Sequence, residues 1–144
     1  SGWCVTGHGA LKPGAAVSAD ELLCDRPWAD HMPKGDDDRT RLFLFTEDGI
    51  GLQGLFSRFS WSAELFEFVE SGSQLQFHYL VDHAKVGSRF TVRKETNGEF
   101  DLVLELGTDP ARRGSTAKYY SRVDWKDAKA RPSWLTAAMK RLGD

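Results

Sequence analysis

The stretch SRFTVRKETNGEFDLVLEL, residues 88–106, has the pattern of a β-hairpin. Its centre, Asn97-Gly98, supplies the residue types that a tight type I′ turn favours, because both central positions need a positive φ. After the turn, apolar residues occupy every second position from Phe100 to Leu106. That period of two predicts a strand with one buried and one wet face.

Working outward from this hairpin, similar segments follow one another closely, separated by short turns rich in glycine, serine and aspartate. The predicted strands are Leu42–Thr46, Ile50–Phe56, Trp61–Val69, Gln74–Leu80, Ser88–Lys94, Glu99–Leu106 and Thr116–Val123. We therefore predict a mainly β chain, an antiparallel up-and-down meander that closes as a lipocalin-like β-barrel. A segment near Trp3–Thr6 is expected to supply an eighth strand.

The flanks of the meander differ from it in pattern. Residues 1–40 are irregular, with a short helix predicted over Ser18–Leu23 and a loop from Trp28 to Arg39. The strands lie within residues 41–123, and residues 132–142 carry the apolar stripe of a C-terminal helix. Because Leu42–Phe45 is apolar on both faces, we expect this helix to pack on the outside of the barrel. The whole chain, 1–144, is interpreted as one domain.

This order of elements resembles the calycin group, which includes the lipocalins and fatty-acid-binding proteins. The resemblance rests on the meander from Arg41 to Val123, the early helix Ser18–Leu23, and the ending KYYSRV, residues 118–123, which is similar to a last barrel strand. It implies a small ligand held in the barrel interior. The Gly-x-Trp signature of lipocalins is absent, and the Arg-x-Tyr pair of fatty-acid-binding proteins occurs in reverse order as Tyr120-x-Arg122.

Candidate ligand-binding residues are the aromatic side chains expected to face inward and the polar groups of the last strand. They are Phe77, Tyr79, Phe90, Phe100, Tyr119, Tyr120 and Arg122. Two alternatives stay open at this point. Tyr120 and Arg122 either clamp a ligand carboxylate inside or pair with acidic side chains on a solvated outer face, and in the second case Tyr119 points inward. The aromatic side chains either line a pocket or fill the core.

Composition excludes some classes of function. The chain has 144 residues, a net charge of −2 and a pI near 6.1, which argue against nucleic-acid binding. No apolar run approaches the ~20 residues that span a bilayer. We find no complete catalytic or cofactor motif, so no cofactor is expected and an enzyme is disfavoured.

Cysteine and histidine positions allow a few further arrangements. Cys4 and Cys24 either pair, closing a loop of ~20 residues in an oxidising compartment, or remain buried thiols in a reducing one, which is the favoured alternative. The compartment stays open, with the cytoplasm favoured over secretion. Cys4, His8, Cys24 and His31 match no familiar zinc spacing, so no metal site is predicted.

Three functions remain for comparison. The leading hypothesis is non-enzymatic binding of a small hydrophobic or amphipathic ligand inside the barrel. The second is a structural or protein-interaction module that uses the outer sheet face, with a protein partner or a homodimer, for which an apolar patch around Trp61, Phe66 and Phe68 is expected. The third is a small isomerase or cyclase with His78, Tyr79 or Arg122 inside the cavity.

Overall fold

The structure, a computed structural model, describes residues 22–112 and 117–143. Within these ranges the chain forms a meander of strands followed by one α-helix. The elements are β1 (Pro27–Ala29), β2 (Thr40–Phe45), β3 (Ile50–Phe56), β4 (Trp61–Ser71), β5 (Gln74–Tyr79), β6 (Lys85–Asn97), β7 (Phe100–Leu106), β8 (Ala117–Ser121) and α1 (Ser133–Gly143). Short 3-10 helices span Pro110–Arg112, Val123–Lys126 and Ala128–Ala130.

Every strand pairs antiparallel with the next, and the sheet closes because β1 pairs with β8 at Ala29 and Tyr120. The eight strands therefore form a ring in up-and-down order. Gly49, Gly72 and Gly98 take positive φ at the predicted hairpin turns, as tight turns require. The predicted mainly β meander, with a C-terminal helix packed outside, is confirmed.

The eighth strand differs from the prediction. It is Pro27–Ala29, whereas the segment near Trp3–Thr6 lies outside the described residues. The prediction that a loop begins at Trp28 is therefore wrong. Trp28 pairs with Phe43 in the sheet, and its ring is buried in the interior. A strand of three residues is too short to show a period of two in the sequence. Of the predicted early helix, only residues 22 and 23 are described, and both are helical.

The interior of the ring is filled by aromatic side chains from several strands. The Phe43 ring lies 4.9 Å from Tyr119 on β8 and 6.2 Å from Phe77 on β5, measured between ring centroids. Phe66 on β4 lies 5.2 Å from Phe77. These rings are fully buried and meet mostly edge to face or tilted, as aromatic pairs prefer. The aromatic side chains therefore make the core of the ring.

Gly51 gives this core the space that it needs. A Cβ built at Gly51 would come within 2.3 Å of the Phe66 ring and 2.9 Å of the Leu44 carbonyl oxygen. The sequence indicated a bulge or bend at Gly51, but its pairing with Phe45 and Phe66 is regular. The glycine is required because an aromatic ring lies directly over the backbone.

A second buried cluster lies on the outside of the ring. Helix α1 places Leu135 and Ala138 in this cluster with Leu42 and Leu52 of the sheet. Trp125 joins it from the preceding 3-10 helix, with its ring centroid 6.4 Å from that of Trp134. The cluster covers the outer face of β2, which explains why that strand is apolar on both sides.

The described residues before β1 close one end of the ring. Leu22 and Leu23 lie in the interior cluster, and the Trp28 indole N–H donates to the Leu23 carbonyl at 2.9 Å. Arg26 is buried and donates through Nη2 to the Val123 carbonyl at 3.0 Å. This segment therefore belongs to the core and connects β1 to the chain end that follows β8.

Cys24, in the same segment, is disulfide-bonded and fully buried. The expectation of a buried thiol is thus wrong for this residue. The only other cysteine of the chain, Cys4, lies outside the described residues.

Asp25 should make the stability of the fold depend on pH. Burial, and then a hydrogen bond with Glu47, raise the pKa of Asp25 above its ordinary value of 3.8. Because the folded-state pKa of this carboxyl is raised, its protonated form stabilises the fold. That stabilisation is fully present below pH 3.8 and is lost as the pH rises through the folded-state pKa. Because Asp25 also has φ 62°, which asparagine tolerates, Asp25→Asn should raise the Tm at pH 7 and change it little at pH 3. Thermal unfolding followed by circular dichroism measures both.

Asp48→Asn provides a comparison of opposite sign, at a carboxylate whose charge is the smallest of the causes that shift the pKa of Asp25. A hydrogen bond from Thr46 lowers the pKa of Asp48, so its ionised form stabilises the fold at neutral pH. This variant should therefore lower the Tm at pH 7, with the difference fading in acid. A lower Tm for Asp25→Asn at pH 7 would contradict the account of Asp25.

Candidate functional site

The predicted ligand-binding residues separate into two groups in the structure. Phe77, Tyr79, Phe90 and Tyr119 belong to the interior cluster. Phe100, Tyr120 and Arg122 lie elsewhere, at the outer cluster or near its rim. The structure therefore does not bring the seven residues together at one place.

The two interior tyrosines already have polar partners from the chain itself. The Tyr79 hydroxyl donates to Gln53 Oε1 at 2.5 Å, and the Tyr119 hydroxyl donates to Asp109 Oδ2 at 2.6 Å. Burial raises the pKa of Tyr79, which keeps this hydroxyl protonated. The Tyr79 hydroxyl thus joins β5 to β3, and the Tyr119 hydroxyl joins β8 to the loop after β7.

Phe100 was expected to face inward with the leucines of β7, and this was wrong. Its ring stacks on Tyr120 at 5.2 Å and lies 5.8 Å from Trp125, in the outer cluster. Phe100 is the first residue of β7 and lies opposite the irregular end of β6, where the register shifts between Lys94 and Asn97.

Arg122 also points away from the interior. Its Nε donates to Asp124 at 3.0 Å, and Nη1 donates to the Glu99 carbonyl at 2.6 Å. His78, which the enzyme hypothesis placed in a cavity, is paired with Glu67 across the outer sheet face at 3.4 Å. Among the described residues, no group of three or more acidic, histidine or cysteine side chains has the arrangement of a metal site.

A cavity of about 490 Å³ lies outside the ring, between α1, the loop that joins β1 to β2, and the turn that joins β3 to β4. Its size is within the range of small-molecule sites. It is lined by Pro33, Lys34, Gly35, Asp36, Asp38, Phe56, Ser57, Arg58, Ser133, Trp134, Ala137 and Arg141. Phe56, Trp134 and Ala137 give it an apolar wall, and the charged side chains form its rim.

The acidic side chains of this rim are held in place by hydrogen bonds from their neighbours. Asp36 accepts a hydrogen bond from Arg58 at 3.0 Å, and Asp38 accepts from the Lys34 backbone N–H at 2.9 Å. Asp38 also lies 2.8 Å from His31 Nε2. The Lys34 N–H and then the His31 bond lower the pKa of Asp38, so its carboxylate stays ionised and fixes the loop.

Two basic side chains of the rim have no such partner. Lys34 and Arg141 form no ion pair with any described residue. The Arg141 guanidinium instead lies over the Trp61 ring, 4.6 Å from its centroid. The cavity therefore combines an apolar wall with a rim of three basic and two acidic side chains, a net charge of +1, which suits a ligand with an apolar body and an anionic group.

Little in the sequence indicates this cavity. Asp36–Asp38 was interpreted as part of a solvated loop, and Trp134 as part of an apolar helix stripe. Their convergence depends on where α1 docks, and Lys34 and Arg141 are more than 100 positions apart in the chain. The one usable signal was the apolar outer face of Leu42–Phe45, which located the helix.

The chain matches no protein-family model, no curated protein and no solved structure. Within the described ranges, none of the helices is long and apolar enough to cross a membrane.

Proposed function

We propose that this protein binds a small amphipathic anion, without catalysis, in the cavity beside α1. The observation that carries the proposal is the pairing of an apolar wall, Phe56 and Trp134, with the cations Lys34 and Arg141, neither of which forms an ion pair with a described residue. The proposal keeps the class of ligand that the resemblance to calycins implies. It moves the site from the ring interior to its outer surface, because aromatic rings in mutual contact occupy the interior.

Binding of 1-anilinonaphthalene-8-sulfonate, an aromatic sulfonate, tests this proposal. Ala137→Trp fills the cavity and should weaken binding of the probe at least tenfold in a fluorescence titration. Thr136→Trp, on the same helix but outside the cavity lining, is its matched control and should leave binding unchanged.

The charge of the rim is tested separately. Arg141→Gln should weaken binding about tenfold, because hydrogen bonds to charged groups contribute about 1.5–3 kcal/mol. Lys140→Gln, with the neighbouring exposed side chain, should have little effect. Binding that is equally strong in Ala137→Trp and in the unaltered protein would rule out the cavity as the site.

A further inference from the structure

The turn between β6 and β7 contains the only asparagine of the chain, Asn97, which is followed by Gly98. Asn97 and Phe100 pair across this turn, so its central residues are Gly98 and Glu99, one position later than the sequence predicts. Gly98 has φ 61°, and a positive φ at the first central position is typical of a type II′ turn. Asn97 and Gly98 are both exposed, so water reaches the asparagine amide and the peptide bond that follows it.

The two groups of this turn that can react with each other are not held by hydrogen bonds. Within residues 22–112 and 117–143, neither the Gly98 N–H nor the Asn97 side-chain amide has a hydrogen-bond partner. The hydrogen bond of a β-turn joins its outer residues and leaves the N–H of the first central residue free. The register of β6 also shifts between Lys94 and Asn97, so this strand end is held less regularly than the rest of the ladder.

We propose that Asn97 is a site of spontaneous deamidation and isomerisation in the folded protein. The Gly98 backbone nitrogen loses its proton and forms a bond to Asn97 Cγ. The bond from Cγ to Nδ2 then breaks, and the amide nitrogen leaves as ammonia with one added proton. Water opens the resulting succinimide at either of its carbonyl groups, which gives aspartate or isoaspartate at position 97. Glycine suits position 98 because it has no Cβ that would hinder the attack.

A second turn of similar sequence has the hydrogen bonds that the Asn97 turn lacks. Asp48 precedes Gly49 between β2 and β3, and its carboxyl group is placed to form the same kind of succinimide. The Gly49 N–H, however, donates to the Thr46 carbonyl at 3.3 Å. Asp48 Oδ1 accepts from the Thr46 hydroxyl and from the Ile50 N–H. Attack on Asp48 requires these bonds to break, so hydrogen bonding, rather than the presence of glycine, distinguishes the two turns.

The isoaspartate product should disturb the outer cluster. It adds one atom to the main chain at position 97, so this residue can no longer pair with Phe100 in the present register. Phe100 packs on Tyr120, at 5.2 Å between ring centroids, and on Trp125, at 5.8 Å. We therefore expect the isoaspartate form to unfold at a lower urea concentration than the unmodified protein. The site shares no residue with the cavity beside α1, so this proposal and the proposed function stand or fail separately.

Incubation of the folded full-length protein at pH 8, followed by peptide mass spectrometry, tests the proposal. The peptide that contains Asn97 should be converted over time into two products, aspartate and isoaspartate, which have the same mass and separate by chromatography. Each carries one more negative charge than the starting peptide. Asn97→Gln is the first control, because its longer side chain must close a six-membered ring, and it should stay unmodified over the same period.

Asp48→Asn is the matched control, because it creates a second Asn-Gly pair in the hydrogen-bonded turn. In the folded variant, the asparagine introduced at position 48 should deamidate at least about fivefold more slowly than Asn97, since its turn must first give up hydrogen bonds. In urea that unfolds the chain, the two positions should react at nearly equal rates. Circular dichroism before and after incubation checks that the variant stays folded in buffer.

Three results would overturn the proposal. The first is an Asn97 that stays unmodified in the folded protein while it reacts in urea. The second is an equal rate at positions 48 and 97 in the folded variant. The third is a difference between the two positions that persists in urea, because neighbouring sequence rather than the hydrogen bonds of the turn would then set the rate.

Discussion

Phe43→Ala should lower the free energy of unfolding by about 3–5 kcal/mol, the usual cost of removing a buried phenylalanine ring. Phe43 is fully buried, and its ring contacts those of Phe45, Phe66, Phe77 and Tyr119. Its removal leaves a cavity at the centre of the ring, bounded by side chains from several strands. Those side chains cannot all move inward, because each is fixed by the pairing of its own strand.

Urea unfolding, followed by tryptophan fluorescence, measures this effect. Phe59→Ala is the matched control, because Phe59 is 71% exposed and its loss should change stability by no more than about 0.5 kcal/mol. A cost below about 1 kcal/mol for Phe43→Ala would show that the interior is loosely packed. In that event the hypothesis of a ligand inside the ring would regain support over the cavity beside α1.

Leu135→Asp should destabilise the protein by at least about 3 kcal/mol through loss of the contact between α1 and the sheet. Leu135 is fully buried in the outer cluster, with Leu42 and Leu52 of the sheet. An ionised carboxylate cannot remain there without a partner, so the helix must undock and expose the outer face of β2. We expect the urea midpoint to fall. If the helix is already detached in the native state, the m value should also fall, because less surface is then exposed on unfolding. The uncovered outer face of β2 should promote self-association.

Thr136→Asp controls for the added charge, because Thr136 is exposed on the same helix, one residue further on. It should leave the urea midpoint nearly unchanged. Equal effects of the two variants would mean that helix propensity or net charge, rather than docking, governs the stability of α1.

Much of the fold could be predicted from local patterns. The period of two along β5 and β7, and the glycines at the turns, are properties of neighbouring residues, so they predicted most strands directly. The excess of apolar residues on β2 likewise predicted a second layer over its outer face. The start of the ring was not predictable in this way, because Pro27–Ala29 is too short for its pattern to be recognised.

The candidate site could be predicted only in part. Phe77, Tyr79, Phe90 and Phe100 were selected as ligand contacts from the directions that alternation implies, and Tyr119, Tyr120 and Arg122 as groups of the last strand. For Phe77 and Tyr79 those directions are as expected, and both lie in the interior cluster. Phe100, at the start of β7, instead packs against Tyr120 and Trp125 in the outer cluster.

By itself, therefore, the sequence determined the class of fold, the up-and-down order of the strands and the presence of a helix outside the ring. These features follow from patterns that extend over a few residues. Only the tertiary structure decided that aromatic side chains meet across the ring interior and that a cavity forms beside α1. Each of these depends on distances between segments far apart in the chain, and the closure and relative lengths of the strands fix those distances.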